Sequence, residues 1–359
     1  MRVTYGVILS LIAPVLLAQE NGPIKLSPQA NALHQSSLVF DGHNDLALQF
    51  KLRLDKQIED VDLTKRHPTL RTDIPRLRKG GVKAQFWSAN PFDFPKFQLK
   101  EPFRFTSDLI DTIHRMIKLY PDTFELALTA SDIDRISSSG KIASLIAVEG
   151  GNALENSMEK LHTFYQLGVR YLTLTHFANT ELADSASDKP IYGGLSKFGQ
   201  KVVQEMNALG MLIDISHVSR ETALEVLELS KAPVIFSHAG AYEVTPTARN
   251  VSDDVLLRLR ANGGVVMAIF CSRYLRSDKE RGTIEDFLDH VDHLVSVAGI
   301  DHVGLGSDFE GDLRYPEQLD DVSDFPNITQ GLLNRGYTPE AIRKILGENT
   351  LRVFRQVAP

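Results

Sequence analysis

Metal-capable side chains in this chain gather at the ends of short apolar runs. Asp41-Gly-His43-Asn-Asp45, Val148-Glu149, Thr173-Leu-Thr-His176, Asp214-Ile-Ser-His217, Phe236-Ser-His238 and Gly306-Ser-Asp308 each close such a run. His43 and Asp45 are two residues apart, so an extended backbone turns both to one side, where they can reach one ion. Imidazole nitrogen and carboxylate oxygen are suitable zinc donors. His217 and His238 could hold a second ion, and Glu149, with two oxygens, could bridge the pair. Two divalent ions bring four positive charges, of which Asp45, Glu149 and a bridging hydroxide would remove three. Zinc lowers the pKa of bound water to about 7, so such a hydroxide persists near neutral pH.

The elements that must position these groups follow from hydrophobic patterning. Strands are predicted at Leu38–Gly42, Val82–Trp87, Ile142–Val148, Tyr171–Thr175, Met211–Ile215, Pro233–Phe236, Val265–Phe270 and His302–Gly306, nearly all apolar, as strands covered on both faces are. Amphipathic helices lie between them. Phe198, Val202, Met206 and Leu209 form one stripe after a Ser196 cap, and Phe287, Val291, Leu294 and Val295 form another after a Thr283 cap. Thr338-Pro339 opens the last helix and Gly347 is expected to close it. Eight strands alternating with helices predict an α/β fold, a (β/α)8 TIM barrel, whose active residues belong where strands end. An open doubly wound sheet is the alternative, but the glycine-rich phosphate loop usual after its first strand is missing. Asn90 to Arg104, with its prolines, reads as a long loop, a lid or subunit contact.

Each polar group also has a plainer reading. His34, His67, His114, His162, His290, His293 and His302 are expected to be surface or hydrogen-bonded histidines. Asp41 and Asp214 precede the proposed ligands and are expected inside the barrel or behind the ligands. Cys271, the single cysteine, ends an apolar run and is expected to be a buried thiol; no intrachain disulfide is possible.

The 359 residues suffice for one large barrel. A net charge of −7 gives no basic footprint for nucleic acid. Arg2 followed by the apolar run Gly6 to Ala18 is too short to span a bilayer and matches a signal peptide over residues 1–18, cleaved after Ala18, with the barrel domain over 19–359. The protein is therefore expected to be exported, to a periplasm or the exterior. The final residues lack a polar spacer and apolar tail, so no lipid anchor is predicted. Asn250-Val-Ser252 and Asn327-Ile-Thr329 match glycosylation acceptors, which matters only in a eukaryotic secretory route.

These motifs, in this order, resemble the membrane (renal) dipeptidase family of zinc peptidases, among the amidohydrolase-type metal barrels. The resemblance runs from about Leu38 to Val357. It includes Val148-Glu-Gly-Gly151, Leu174-Thr-His176, the run from Asn179 to Ser185, Asp214-Ile-Ser-His-Val-Ser219, Ala248-Arg-Asn250 and Gly304-Leu-Gly-Ser-Asp-Phe309. It implies a dipeptidase with two Zn2+, one held by His43 and Asp45, the other by His217 and His238, with Glu149 between them. It further implies that His176 contacts the substrate carbonyl and its oxyanion, that Arg249 helps bind the substrate, and that Asp308 handles the proton beside the bridging water. Homodimerisation is implied too. Ala47 stands where the family often has proline, and the single cysteine excludes the disulfides of mammalian members.

Two other functions compete. The same metal barrel could hydrolyse another small amide, a β-lactam or a lactone, or it could bind dipeptides without cleaving them. The complete set of polar residues speaks against the latter. A serine hydrolase would need a Gly-x-Ser-x-Gly elbow, which the chain lacks.

Overall fold

In a computed structural model, which describes residues 24–93, 99–278, 280–311 and 314–358, the apolar runs become nine parallel strands of one sheet. They are Val39–Asn44 (β1), Val82–Ala89 (β2), Phe124–Leu126 (β3), Ile142–Glu149 (β4), Val169–Thr173 (β5), Leu212–Asp214 (β6), Ile235–Ala239 (β7), Val265–Ile269 (β8) and Val303–Gly306 (β9). The order is β2-β1-β9-β8-β7-β6-β5-β4, and pairing of β2 with β4 closes the ring. This is the eight-stranded (β/α)8 barrel. The predicted leader, residues 1–18, lies outside the described residues.

β3 is the strand that patterning missed. It pairs with Ile142–Ser144 at the start of β4, while β5 pairs with Ile146–Glu149 at its end. β3 thus fills the lower half of an edge whose upper half belongs to β5. Every residue of β1 and of β4 to β9 is buried, which explains the continuous apolar runs.

Inside the ring, Phe40, Phe86, Leu145, Tyr171, Leu212, Ile235, Val265 and Met267 form one cluster. The helix Asn349–Val357 closes its floor, Phe354 standing edge-on to Phe86 with 6.1 Å between ring centroids. Full burial of each such side chain contributes about 1.5–3 kcal/mol. The helix Lys197–Leu209 begins as predicted, with Ser196 Oγ accepting from the Gly199 N–H at 2.9 Å. The helix Ile284–Ala298 begins with a reciprocal capping box between Thr283 and Asp286.

Gly347 breaks the helix that Pro339 opens, its backbone leaving the helical region at φ 174° and ψ −19°, but a further helix follows the kink. The chain passes from Pro339–Arg343 through a π-turn at Lys344–Glu348 into Asn349–Val357. A Cβ at Gly347 would collide with the Leu38 carbonyl and Phe40, so this glycine also allows close approach to β1. The loop after β2 also ends earlier than expected: a helix starts at Pro102, and residues 94–98 lie outside the described part. Among the described residues no helix is long and apolar enough to cross a membrane.

Candidate metal centre

The carboxyl ends of the strands bring the polar residues together. His43 is in β1, Glu149 is the last residue of β4, and His238 is in β7. His238 therefore lies within its strand, since β7 begins later and runs further than patterning indicated. His176 and His217 each lie three residues past a strand, Asp308 lies two past β9, and Asp45 precedes the helix Leu46–Leu52. His217 and Asp308 adopt left-handed backbone, φ 66° and 56°. Such residues cost on the order of 1–3 kcal/mol and persist where surrounding structure fixes them. At Gly311 a Cβ would run into the Asp308 carboxylate and stand 2.6 Å from Asp45 Oδ2, so no side chain fits there.

Glu149 is the centre of the cluster. Its Oε1 lies 3.0 Å from His217 Nε2 and 3.3 Å from His238 Nε2. Its Oε2 lies 3.3 Å from His43 Nε2, which is 3.4 Å from Asp45 Oδ2. Donors about 2.0–2.1 Å from a tetrahedral zinc stand about 3.3 Å apart, the spacing found here. Among the described residues three three-donor sets meet here, His43–Asp45–Glu149, Glu149–His217–His238 and His43–His238–Asp308, each with its ligand atoms within 4.8 Å of one another; the first two are joined by Glu149. All five residues of these two sets are buried, and His43 Nε2 and Asp45 Oδ1 make no hydrogen bond among the described residues. Buried lone pairs without partners are costly, and a cation satisfies them. Three protein donors per ion leave positions open for water or substrate, as in catalytic sites. The residues present fit a pair of divalent ions.

Partners behind the donors orient them. Tyr171 Oη lies 2.7 Å from His43 Nδ1, Ser237 Oγ lies 2.8 Å from His238 Nδ1, and Asn90 Nδ2 donates to Glu149 Oε2 at 2.6 Å. His176 Nδ1 lies 2.9 Å from Asp93 Oδ1. Asp41 and Asp214 are not ligands. Asp41 accepts from the Ser307 N–H at 2.7 Å and hydroxyl at 2.6 Å, and Asp214 accepts from the Ser237 N–H at 2.9 Å and hydroxyl at 2.6 Å. Each aspartate thereby ties two neighbouring strands beneath the site.

Charge follows burial. Burial alone would raise the Glu149 carboxyl, but the nearby His43 and His176 charges, with hydrogen bonds from His217 and His238, hold it well below its ordinary value. Burial, with the Arg249 charge for one and the His43 charge for the other, pushes His217 and His238 well below the usual imidazole range. They are neutral, the form that binds metal. His43 is opposed by burial but raised by Tyr171, Glu149 and Asp45. A proton and a cation compete for its Nε2.

A cavity of about 120 Å³ opens beside the cluster, lined by the polar Asp45, Glu149, His176, His217 and Asp308 and by apolar side chains that include Leu48, Phe92 and Phe177. Arg249 lines an adjoining cavity of about 30 Å³ that shares His217 with the first. It is 7% exposed, donates to the His238 carbonyl at 3.1 Å, lies 5.6 Å from the Tyr274 ring centroid, and has no partner for Nε among the described residues. Cys271 is buried. His34 and His290 are buried and hydrogen-bonded. His293 is half-buried and hydrogen-bonded as expected, with Asp253 at 2.7 Å and Glu243 at 3.9 Å. Tyr171, Asn90 and Asp93 escaped the sequence reading. Asn90 directly follows β2, where the strand-end rule applies, whereas Tyr171 lies inside β5 and was marked only by its hydroxyl in an apolar run.

A parallel barrel with convergent donors at its carboxyl end is the architecture of a metal-dependent hydrolase. A family model described as membrane dipeptidase, peptidase family M19, matches residues 27–359. The chain belongs to this family of metal-dependent dipeptide hydrolases. It is 42% identical over 324 residues to "Dipeptidase tcpJ" of Claviceps purpurea (strain 20.1), covering 88% of this chain and 76% of that protein. It is 43% identical over 328 residues to "Dipeptidase verJ" of Clonostachys rogersoniana, covering 89% and 84%. Among solved structures, a metallopeptidase from Rhodobacter sphaeroides, liganded with a phosphinate mimic of the dipeptide L-Ala-D-Ala, superposes with TM-score 0.82 at 26% identity, covering 89% of this chain and 99% of that one.

Proposed function

We propose that the chain hydrolyses the peptide bond of dipeptides with two zinc ions, one held by His43, Asp45 and Glu149, the other by Glu149, His217 and His238. The observation that carries this reading is the convergence of three imidazole nitrogens on the two oxygens of Glu149, all within 3.3 Å. Bound zinc would supply an activated bridging hydroxide as nucleophile and positive charge beside the carbonyl oxygen. Asp308, beside Asp45 in the cavity wall, takes the proton of the nucleophile and passes it to the leaving amine. His176 donates to the oxyanion of the tetrahedral intermediate. Arg249 pairs with the free carboxylate of the substrate, and that requirement favours dipeptides over longer chains.

The dipeptidase names of the two curated relatives and the dipeptide mimic bound to the Rhodobacter sphaeroides protein support the substrate class. The run Gly6 to Ala18 after Arg2, read as a leader, supports export, and homodimerisation is part of the same proposal. The test is metal analysis of the purified protein beside a hydrolysis panel of dipeptides, β-lactams and lactones. Two zinc ions per chain with dipeptide turnover is the expected result. Turnover of non-peptide substrates alone, or dipeptide binding without cleavage, would overturn it.

A further inference from the structure

Asp93 poses an energetic question. Its side chain is buried, with 1% exposure for the residue, in the short segment after β2. Its Oδ2 has no hydrogen-bond partner among the described residues, and its Oδ1 meets one group, His176 Nδ1 at 2.9 Å. Taking a carboxylate out of water costs several kcal/mol, and an apolar side chain of similar volume commonly serves packing as well or better. Packing therefore gives no reason for an acid at this position. The imidazole it touches does.

The His176 ring meets two aromatic neighbours, Phe177 at 4.2 Å and His217 at 4.6 Å between centroids, tilted by 51° and 53°. Such ring contacts do not distinguish a nitrogen from a carbon at the ring edge. A half-turn about the Cβ–Cγ bond would exchange Nδ1 and Nε2 with ring carbons. The bond to Asp93 removes that freedom. An ionised carboxylate only accepts, so the proton of the pair is assigned to Nδ1, and in the reading of His176 as the carbonyl contact Nε2 is the nitrogen that meets substrate. A ring that also donates from Nε2 is an imidazolium, and Asp93 is then the counter-charge on its buried side.

We propose that Asp93 is a positioning residue for hydrolysis: it holds the His176 ring in the orientation that presents Nε2 to the substrate carbonyl and compensates the ring's positive charge as the oxyanion forms. The same short segment contributes Asn90, which donates to Glu149 Oε2 at 2.6 Å. One stretch of chain after β2 thus grips both the central carboxylate and the imidazole beside the cavity. The inference rests on the reading of His176 as the carbonyl contact.

The test compares Asp93→Ala, Asp93→Asn, His176→Ala and the Asp93→Ala/His176→Ala double variant, using L-leucyl-glycine hydrolysis and metal content per chain. Asp93→Ala is expected to lower kcat about 10–100-fold, with KM and metal content close to wild type. Asp93→Asn is expected to fall between wild type and Asp93→Ala, because its amide oxygen still accepts from Nδ1–H without the charge. The double variant is expected to be no slower than His176→Ala alone, since the two residues act as one unit. Normal kcat in Asp93→Ala beside a slow His176→Ala would overturn the role of Asp93 and leave that of His176 standing. Normal kcat in His176→Ala would remove the reading beneath it. Loss of metal in Asp93→Ala, or a double variant much slower than His176→Ala, would show that Asp93 acts elsewhere. Should Asp93→Ala fail to fold, the near-isosteric Asp93→Asn decides: a kcat equal to wild type overturns the proposal.

Discussion

The Nε2 atoms of His217 and His238 approach one another to 2.9 Å while both face Oε1 of Glu149. Two imidazole nitrogens and a carboxylate oxygen crowd into one buried point, an arrangement that a cation satisfies. His217→Ala removes one donor of a three-donor set. It is expected to lose metal and activity together, measured by metal analysis and dipeptide turnover on the same sample. Full metal content in this variant would exclude His217 as a ligand.

Asp308 stands close to Asp45, since a Cβ on Gly311 would meet both carboxylates. Asp308→Asn preserves shape and removes the base. Metal content is expected to stay, while kcat falls about 10²–10⁴-fold, the range for losing a positioned acid–base group. Normal turnover would make the proton-transfer role untenable.

Tyr171 touches His43 from inside the barrel, Oη to Nδ1 at 2.7 Å, and also donates to the Gly42 carbonyl at 3.2 Å. Tyr171→Phe keeps the ring and deletes the hydroxyl. Metal affinity is expected to weaken about 10–100-fold, measured by competition with a chelator, with the unliganded fold retained. Unchanged affinity would mean that ring packing alone orients His43.

His290 makes folding sensitive to acid. Its Nδ1 accepts from the Ala241 N–H at 2.9 Å, and Nε2 faces the Leu275 carbonyl at 3.3 Å, an arrangement that requires the neutral ring. Burial pushes its pKa down to about 4. As pH falls below the unfolded value of 6.5, the unfolded chain takes up a proton that the folded chain refuses, so stability drops until about pH 4 and then levels off. The full loss is about 3 kcal/mol. In His290→Asn, whose Oδ1 can replace Nδ1 as acceptor, this component is expected to vanish. Thermal unfolding of both proteins from pH 7 to 4 is the measurement, and a constant stability difference across that range would refute the assignment.

The sequence made the inner barrel readable because its strands are apolar throughout and end in polar groups. Glu149 and His217 could be placed from that rule alone. β3 could not, because three residues with Glu125 in the middle carry too little periodicity. Gly347 was legible as a helix break, but the helix Asn349–Val357 beyond it and its contact with β1 are set by tertiary packing. Asn90 and Asp93 were absorbed into a proline-rich loop. Their partners, Glu149 and His176, are more than fifty residues away in sequence, and no local pattern announces such pairs.

Asp41–Ser307 and Asp214–Ser237 fasten β1 to the chain just past β9, and β6 to β7, one layer below the ion-binding atoms. This layer acts as a foundation that does not depend on what sits above it. Chemistry at the rim is thereby decoupled from architecture: donors can be exchanged or emptied while the ring stays laced shut from beneath. Such a scaffold tolerates experiments, and natural drift, in its upper storey.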